Sequence, residues 1–275
     1  MQSFLQITHT AVMPAIYTHY AVAHTLFQNL SLDIQKVVKP HLPLYFFGSL
    51  GADFCFFYHV LGKKTPNLGS HLHRANSYEI FRLLKAFSCR SERLFAYAFG
   101  FLTHYAADAT FHPYVYSQAG NSYAKHTRLE NALDSYFKNF LSSERQKIFY
   151  QKPSNEEETE LYILYAAIAK KTGFPPLEKT AFSRAISLFN AYPPIPNALP
   201  QRKSSPYLRY ACNMEKRAWH PPSKPFVIRN DNAEELFQKT LAFAQEISVI
   251  FYHAVRENAP LPFPLFHKHF LKGEY

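Results

Sequence analysis

Cysteine is scarce in this chain, and its few cysteines are widely spaced. Cys55, Cys89 and Cys212 are odd in number and form no CxxC pair. This pattern indicates neither a disulfide framework nor a cysteine zinc site. Buried free thiols are therefore the expected role of these residues.

Signals of strands and of nucleotide-binding loops are also missing. The sequence has eight glycines in 275 residues, and none of them lies in a phosphate-binding loop. No segment alternates apolar and polar residues as a half-buried strand does, and no internal repeat is present. These absences favour an all-α fold, which we expect to form a single multi-helix domain over residues 1–275.

The chain lacks an uninterrupted apolar run of about 20 residues, the length needed to span a membrane. Its longest apolar stretches, residues 42–58 and 94–111, contain Asp53 in the first and His104 and Asp108 in the second. We interpret both as buried core helices. The first residues also lack the charged segment and apolar core of a secretory signal. A cytoplasmic protein is the expectation, with peripheral membrane attachment or non-classical export left open.

Aromatic, basic and histidine residues are abundant by contrast. Phe and Tyr number 26 and 19 against one Trp, and there are 14 histidines, more than an ordinary domain needs. Thirty Lys and Arg against 20 Asp and Glu give a net charge of +10. Such a charge suits phosphate esters, nucleic acid or an acidic lipid surface, and it suits a merely solvated surface equally well.

Apolar residues recur at helical spacing through most of the chain. The segments predicted to be helical are 16–30, 44–59, 75–88, 91–112, 124–141, 156–172, 178–190 and 231–257. Pro113 is expected to end the helix before it, and residues 62–72 and the Pro-rich basic stretch 192–225 are expected to be mostly loop. The last helix, 231–257, is amphipathic and has acidic residues in its first turn.

The most informative motif is His104-x3-Asp108-x3-His112, followed by His126-x3-Glu130. A four-residue step advances a helix by roughly 400°, so side chains at this spacing share one face. Two such faces that meet form a metal site. Histidine and carboxylate without cysteine are the ligands expected of zinc, or of another divalent ion that keeps an open coordination position.

Three upstream pieces add candidate ligands, namely His19, Asp53 and the pair His71 and His73. Asp53 lies among aromatic residues, where an unpaired carboxylate is costly. Candidate ligands are thus concentrated in residues 14–134. The remaining histidines are interpreted as core or surface residues, and they include His24, His41, His220, His253, His267 and His269.

These motifs resemble those of the zinc-dependent phospholipases C, whose secreted bacterial members bind three zinc ions in an all-helical domain. The resemblance covers roughly the first half of the chain and is carried by PAIYTH (14–19), LGAD (50–53), His-Leu-His (71–73), GFLTHYAADATFHPY (100–114) and KHTRLENALD (125–134). It implies a zinc-dependent phosphodiesterase that cleaves glycerophospholipid to diacylglycerol and a phosphorylated headgroup.

The resemblance also implies a set of zinc ligands. The three sites would be held by His73, His104 and Asp108, by His112, His126 and Glu130, and by His19 with Asp108 as a bridge. Asp53 would be a further ligand or the base beside the attacking water. His71 is the alternative to His73. We favour His73 because it lies immediately before the next helix. Asp134, one turn after Glu130, is a candidate acceptor that orients an imidazole.

Two departures from the secreted enzymes bear on the number of metal ions. The mature secreted enzymes begin with a Trp that binds the third zinc, whereas this sequence has no Trp near its start. The step from Asp108 to His112 is also two residues shorter than theirs. Both two and three zinc ions are therefore compatible with the motif. Met13, directly before Pro14, is an alternative start of the chain.

Two other functions share these features. A single-strand nuclease with the same zinc cluster would use the basic charge and the aromatic rings to bind nucleic acid. A non-catalytic, metal-stabilised domain would use the basic segment 201–224 to attach to a membrane or another surface. The headgroup of the substrate and the oligomeric state stay open.

Overall fold

The computed structural model of the protein describes residues 16–58, 67–120, 122–140, 151–191 and 230–273. Within these ranges all regular secondary structure is helical and no strand occurs, so the prediction of an all-α fold is confirmed. Met13, His59 and the stretch 192–225 lie outside the described residues.

The described residues form eleven α-helices and two short 3-10 helices. The α-helices are α1 (Ile16–Asn29), α2 (Leu32–Val38), α3 (Leu42–Gly48), α4 (Leu68–Leu72), α5 (Ser77–Ser88), α6 (Glu92–Ala119), α7 (Tyr123–Phe140), α8 (Asn155–Thr172), α9 (Lys179–Ala191), α10 (Asn230–Arg256) and α11 (Phe263–Phe266). The 3-10 helices are Lys39–His41 and Asp53–Phe57.

The helical run predicted over residues 44–59, interrupted by Gly48 and Gly51, is divided at these glycines in the structure. Helix α3 ends at Gly48, and the 3-10 helix begins at Asp53. Between them Gly51 has a φ of 52°, a left-handed conformation that glycine adopts without strain and that does not belong in a right-handed helix. The break places Asp53 at the start of a new element instead of on the face of a long helix.

The loop predicted over residues 62–72 is wrong in its last part, where helix α4 forms. The side chain of Asn67 accepts a hydrogen bond from the backbone nitrogen of Ser70 at 2.9 Å. Asparagine in this position caps a helix N-terminus, since it satisfies one of the backbone donors that the first turn leaves free. The short helix leads directly to His73.

The predicted end of a helix at Pro113 is also wrong, because α6 continues to Ala119. Proline lacks the N–H that would bond the carbonyl four residues earlier, here that of Ala109. Gly273, with a φ of 77°, packs at this point, and a Cβ there would lie 2.8 Å from the Ala109 oxygen. Tertiary packing against the C-terminal segment thus accompanies the proline within the helix.

Helix α6 is the centre of the fold. Most of its residues are buried, and it packs against α1, α3, α5, α7 and α10. A helix that is apolar on nearly all sides is expected in the core of a large domain. None of the described helices is both long enough and apolar enough to cross a lipid bilayer.

Helices α3 and α6 approach each other through two glycines. A Cβ added to Gly48 would overlap the backbone carbonyl of Tyr97, and one added to Gly100 would overlap the carbonyl of Tyr45. The helix backbones are therefore in direct contact at this crossing. This contact sets the position of α6, which carries three of the candidate ligands.

We expect Gly100→Ala to lower the stability of the protein. Helix propensity alone favours alanine over glycine by about 1 kcal/mol, but the new methyl group would overlap the Tyr45 carbonyl, and overpacking costs about 1–3 kcal/mol. The net loss should appear as a lower midpoint of urea unfolding. Ser117→Ala, at an exposed position on α6, is the control and should not lower the midpoint. A higher midpoint for Gly100→Ala would contradict the close packing.

Candidate metal centre

The eight candidate ligands of the sequence meet at one place in the fold. Helix α1 supplies His19, the second 3-10 helix supplies Asp53, and the residue after α4 is His73. Helices α6 and α7 supply the others, which are His104, Asp108, His112, His126 and Glu130. Five separate elements therefore contribute to a single cluster of imidazoles and carboxylates.

Asp108 lies at the centre of the cluster. Its Oδ1 is 3.4 Å from Nε2 of His19 and 3.6 Å from Nδ1 of His112. Its Oδ2 is 3.4 Å from Nε2 of His104 and 3.5 Å from Nε2 of His73. One carboxylate thus faces four imidazoles, and each of its oxygens lies near two of them.

Asp53 is the second carboxylate of the inner cluster. Its Oδ1 is 3.2 Å from Nε2 of His73, and its Oδ2 is 3.9 Å from Nδ1 of His104 and 4.0 Å from Nε2 of His19. The side chain of Asp53 is 2% exposed. It therefore lies deep in the protein, between the same imidazoles that surround Asp108.

His112, His126 and Glu130 form the outer part of the cluster. Oε1 of Glu130 is 2.9 Å from Nε2 of His126 and 3.4 Å from Nε2 of His112. The two imidazole rings are nearly parallel, with centroids 5.9 Å apart. The side chain of His126 is 13% exposed, against 0% for His104, so among the described residues the cluster is most open on this side.

The candidate ligands fall into three groups that could each hold a metal ion. They are His19, His104 and Asp108; Asp53, His73 and His104; and His112, His126 and Glu130. The third group is the one that the resemblance implied. The other two differ from it, because His73 pairs with Asp53 and His104 belongs to both groups.

His71 and His73 point to different parts of the protein. Nε2 of His73 faces Asp53, as described above, whereas Nε2 of His71 lies 3.0 Å from Oγ1 of Thr172 and its ring packs against Phe174. The structure therefore brings His73 into the cluster and places the His71 side chain against the end of helix α8. This arrangement favours the choice made from the sequence.

Backbone carbonyls orient two of the imidazoles. Nδ1 of His73 lies 2.7 Å from the carbonyl oxygen of Gly69, and Nδ1 of His112 lies 3.1 Å from that of Phe270. A carbonyl only accepts, so each Nδ1 carries the proton and each Nε2 is free for a metal. The Phe270 contact was not anticipated, because a backbone carbonyl 158 residues away in sequence leaves no pattern in the chain.

The contacts of Asp134 differ from those expected. Its Oδ1 accepts a hydrogen bond from the backbone nitrogen of Thr18 at 3.0 Å and lies 3.4 Å from the Thr18 hydroxyl. It therefore holds the first turn of α1, one residue before His19. Burial raises the pKa of Asp134 to about 7, against the opposing effect of these backbone hydrogen bonds.

Burial keeps the inner histidines neutral. It lowers the pKa of His19 to about 3, and the nearby His112 and His73 add to this effect. It also lowers the pKa of His104 well below its usual value and lowers that of His73. Neutral imidazole is the form that binds a metal ion, so these residues need no deprotonation near pH 7.

Burial acts in the opposite direction on the inner carboxylates. It raises the pKa of Asp53 well above its usual value and raises that of Asp108 to about 7. In the outer group, burial opposes the charge of Glu130, but hydrogen bonds from His112 and His126 outweigh it and lower the Glu130 pKa. Full ionisation of Asp53 and Asp108 therefore requires additional positive charge beside them.

That requirement is reinforced by polar atoms that have no hydrogen-bond partner within the described part of the chain. In the cluster they are Nδ1 of His19, Oδ1 of Asp53, Nε2 of His73, both ring nitrogens of His104, Oδ2 of Asp108 and Oε2 of Glu130. Each unsatisfied buried atom costs about 1–3 kcal/mol. Their concentration in one place fits divalent cations, and imidazole nitrogen with carboxylate oxygen fits zinc.

Gly51 is a residue of the site that the sequence motif did not single out. A Cβ at this position would overlap the imidazole ring of His104, so the backbone of the turn packs directly on a candidate ligand. The LGAD motif contained a signal, since glycine is the residue that permits a close approach of the backbone. Gly51 therefore sets the position of the His104 ring.

Removal of the metal should destabilise the protein. A ligand at 1,000 times its dissociation constant contributes about 4 kcal/mol, and in a domain somewhat smaller than this one about 1 kcal/mol corresponds to a shift of 2–4 °C in Tm. We therefore expect a chelator to lower the calorimetric Tm by roughly 10 °C. Zn²⁺ should restore it and Mg²⁺, which prefers oxygen ligands, should not. An unchanged Tm would contradict a metal-stabilised cluster.

Gly51→Ala should weaken zinc binding by at least about 10-fold, because the new methyl group would displace His104. Gly173→Ala is the matched control, since Gly173 also has a positive φ, of 80°, but has nothing within 4 Å of an added Cβ. Both variants carry backbone strain, and only the first contacts a candidate ligand. Competition with a chromogenic chelator measures the affinity, and equal values for the two variants would rule out the steric effect.

Comparison with known proteins agrees with this geometry. A family model described as zinc dependent phospholipase C matches residues 18–172, which is more than half of the chain. The matched range contains all eight candidate ligands. No curated protein and no solved structure matches the chain.

Proposed function

This chain belongs to the zinc-dependent phospholipase C family, and from that membership we propose that it hydrolyses glycerophospholipid to diacylglycerol and a phosphorylated headgroup. The observation that supports the proposal most is the buried cluster of five histidines and three carboxylates, whose ligand atoms lie within 4.8 Å of one another in each of three groups. Phosphodiester hydrolysis is the chemistry that such a cluster of zinc ligands suits.

We assign zinc ligation to the eight residues of the cluster. The inner ions would be held by His19, Asp53, His73, His104 and Asp108, and the outer ion by His112, His126 and Glu130. Asp108 faces imidazoles on both sides, which suits a bridge between two ions. The three carboxylates bring three negative charges, nearly balanced by two divalent cations, so a third ion would need a further anion such as the substrate phosphate.

Zinc, when bound, supplies positive charge to the phosphoryl oxygens and lowers the pKa of a coordinated water toward 7. The protein residues hold and orient the reacting groups. Asp53 has one carboxylate oxygen near His73 and the other near His104 and His19, so one oxygen can bind a metal while the other orients the attacking water and accepts its proton. Gly69 and Phe270 keep the proton on Nδ1 of His73 and His112.

A small cavity at the cluster has room for about one water molecule. Its polar side is lined by Thr18, His19, Asp108, His112 and Glu130, and its apolar side by Ala107, Phe111, Val115 and Leu133. The net charge of +10 would favour approach to an anionic membrane surface.

Asp53→Asn should reduce hydrolysis of phosphatidylcholine vesicles by about 100-fold or more, because the amide does not accept the water proton. His253→Ala is the control and should keep full activity, since His253 is exposed and pairs only with Glu257 in the described contacts. Zinc content, measured by atomic emission, separates the two roles of Asp53. An unchanged content indicates a base, and a lost ion indicates a ligand. Undiminished hydrolysis would refute either role.

Parallel assays with lipid and nucleic acid distinguish the proposed function from its alternatives. Vesicles of phosphatidylcholine, vesicles of phosphatidylglycerol and single-stranded DNA would be incubated with the zinc-loaded protein. Release of diacylglycerol supports the proposal, and the two vesicle types report the headgroup preference. Cleavage of DNA alone would indicate a nuclease. Bound zinc without turnover of any of these would indicate a metal-stabilised domain that is not a phosphodiesterase.

A further inference from the structure

We propose that Tyr165 of α8, with Tyr97 of α6 behind it, is a positioning residue of the metal centre. The Tyr165 hydroxyl holds the carbonyl of Gly51 and so fixes the turn that packs on His104 and leads to Asp53. Helix α8 supplies none of the eight candidate ligands. Through this contact it nevertheless becomes part of the site.

The three polar groups form a compact network. The Tyr165 hydroxyl lies 2.8 Å from the carbonyl oxygen of Gly51, the Tyr97 hydroxyl lies 3.3 Å from the same oxygen, and the two hydroxyls are 2.6 Å apart. A carbonyl cannot donate, and each hydroxyl has one proton. The shortest arrangement therefore has Tyr97 donating to Tyr165 and Tyr165 donating to Gly51.

Burial makes this network hard to replace. Tyr97 is 0% exposed and Tyr165 is 1% exposed, so bulk water does not reach the hydroxyls. Loss of the Tyr165 hydroxyl would leave the Gly51 carbonyl with only the longer contact from Tyr97. An unsatisfied buried acceptor favours movement of the backbone toward another donor.

Tyr165 also contacts the chain on the other side of Asp53. Its ring lies edge-on to the ring of Phe54, with centroids 5.2 Å apart, and Phe54 is the residue after Asp53. Phe182 of α9 packs against both rings, at 5.4 Å from each. The segment that carries Asp53 is thus held before and after the carboxylate.

Backbone hydrogen bonds hold the turn between Gly48 and Asp53. Gly51 donates its N–H to the Gly48 carbonyl at 2.8 Å, and Asp53 donates to the Leu50 carbonyl at 2.9 Å. Because Gly51 packs on the His104 ring, a shift of its carbonyl would move one candidate ligand by contact and Asp53 through these hydrogen bonds. Hydrogen bonds that support metal ligands are commonly worth 10- to 100-fold in metal affinity.

The direction of the hydrogen bonds predicts which of the two tyrosine substitutions weakens zinc binding more. Tyr165→Phe removes the donor to Gly51, whereas Tyr97→Phe leaves that donor in place and removes only the group behind it. We expect Tyr165→Phe to weaken zinc binding by about 10-fold or more. Tyr97→Phe should weaken it only a few-fold.

Tyr162→Phe is the matched control. Tyr162 lies on the same helix, and its hydroxyl donates to the backbone carbonyl of Leu177 at 3.0 Å, so the substitution also removes one hydrogen bond between a tyrosine and a carbonyl. It does not touch the turn at Gly51. We expect this variant to lose stability without losing zinc affinity.

Two measurements on the full-length chain test the proposal. Competition with a chromogenic chelator gives the zinc affinity of the wild type and the three variants. The visible absorption spectrum of the Co²⁺-loaded protein at saturation reports the ligand geometry. Tyr165→Phe should change both, and Tyr162→Phe should change neither. Wild-type affinity and an unaltered Co²⁺ spectrum in Tyr165→Phe would overturn the proposal.

Tyr97→Phe decides the matter if Tyr165→Phe does not fold. A few-fold loss of affinity together with an altered Co²⁺ spectrum would support the positioning role, and wild-type values would refute it. This inference rests on the proposed function only for the reaction that the metal centre carries out. Failure of the proposed reaction and failure of the positioning role can therefore be told apart. A wild type that binds zinc tightly but hydrolyses no lipid would contradict the proposed function. The tyrosine variants would still test the positioning role of Tyr165.

Discussion

The structure depends on the concentration of negative charge in an apolar interior. Asp53, Asp108 and Glu130 lie together in the core, each almost wholly buried. The inner imidazoles of His19, His73 and His104 are neutral, because burial lowers their pKa values. A buried carboxylate is stable as an anion only beside a cation. The cluster is therefore suited to divalent cations, whose binding would contribute to the folding free energy.

The architecture brings together the five chain segments whose side chains form the cluster. Helix α6 occupies the centre and offers three candidate ligands on one face. It can lie there because Gly48 and Gly100 let α3 approach its backbone directly. Gly51 brings the next turn onto His104. Small residues are thus placed where backbone must pass close to the site, and large aromatic rings fill the space around it.

The helix spacings allowed much of the site to be predicted. Residues four apart on a helix share a face in any tertiary context, so His104, Asp108 and His112 could be grouped from sequence alone. The end of α6 could not, because Pro113 is a helix breaker by local rules, whereas in the structure α6 continues past it to Ala119. The partner of Asp134 could not be predicted for a related reason. Its position one turn after Glu130 gave its face, but not its partner Thr18.

The sequence by itself determined the all-α class, the candidate ligands and their order, since these rest on local periodicity and on residue chemistry. Only the tertiary structure decided how the candidate ligands group and that His73, not His71, enters the cluster. It also showed that Phe270 contacts His112 and that Tyr165 contacts Gly51. Those relations join residues far apart in the chain. They depend on distances between helices, which no local pattern of amino acids records.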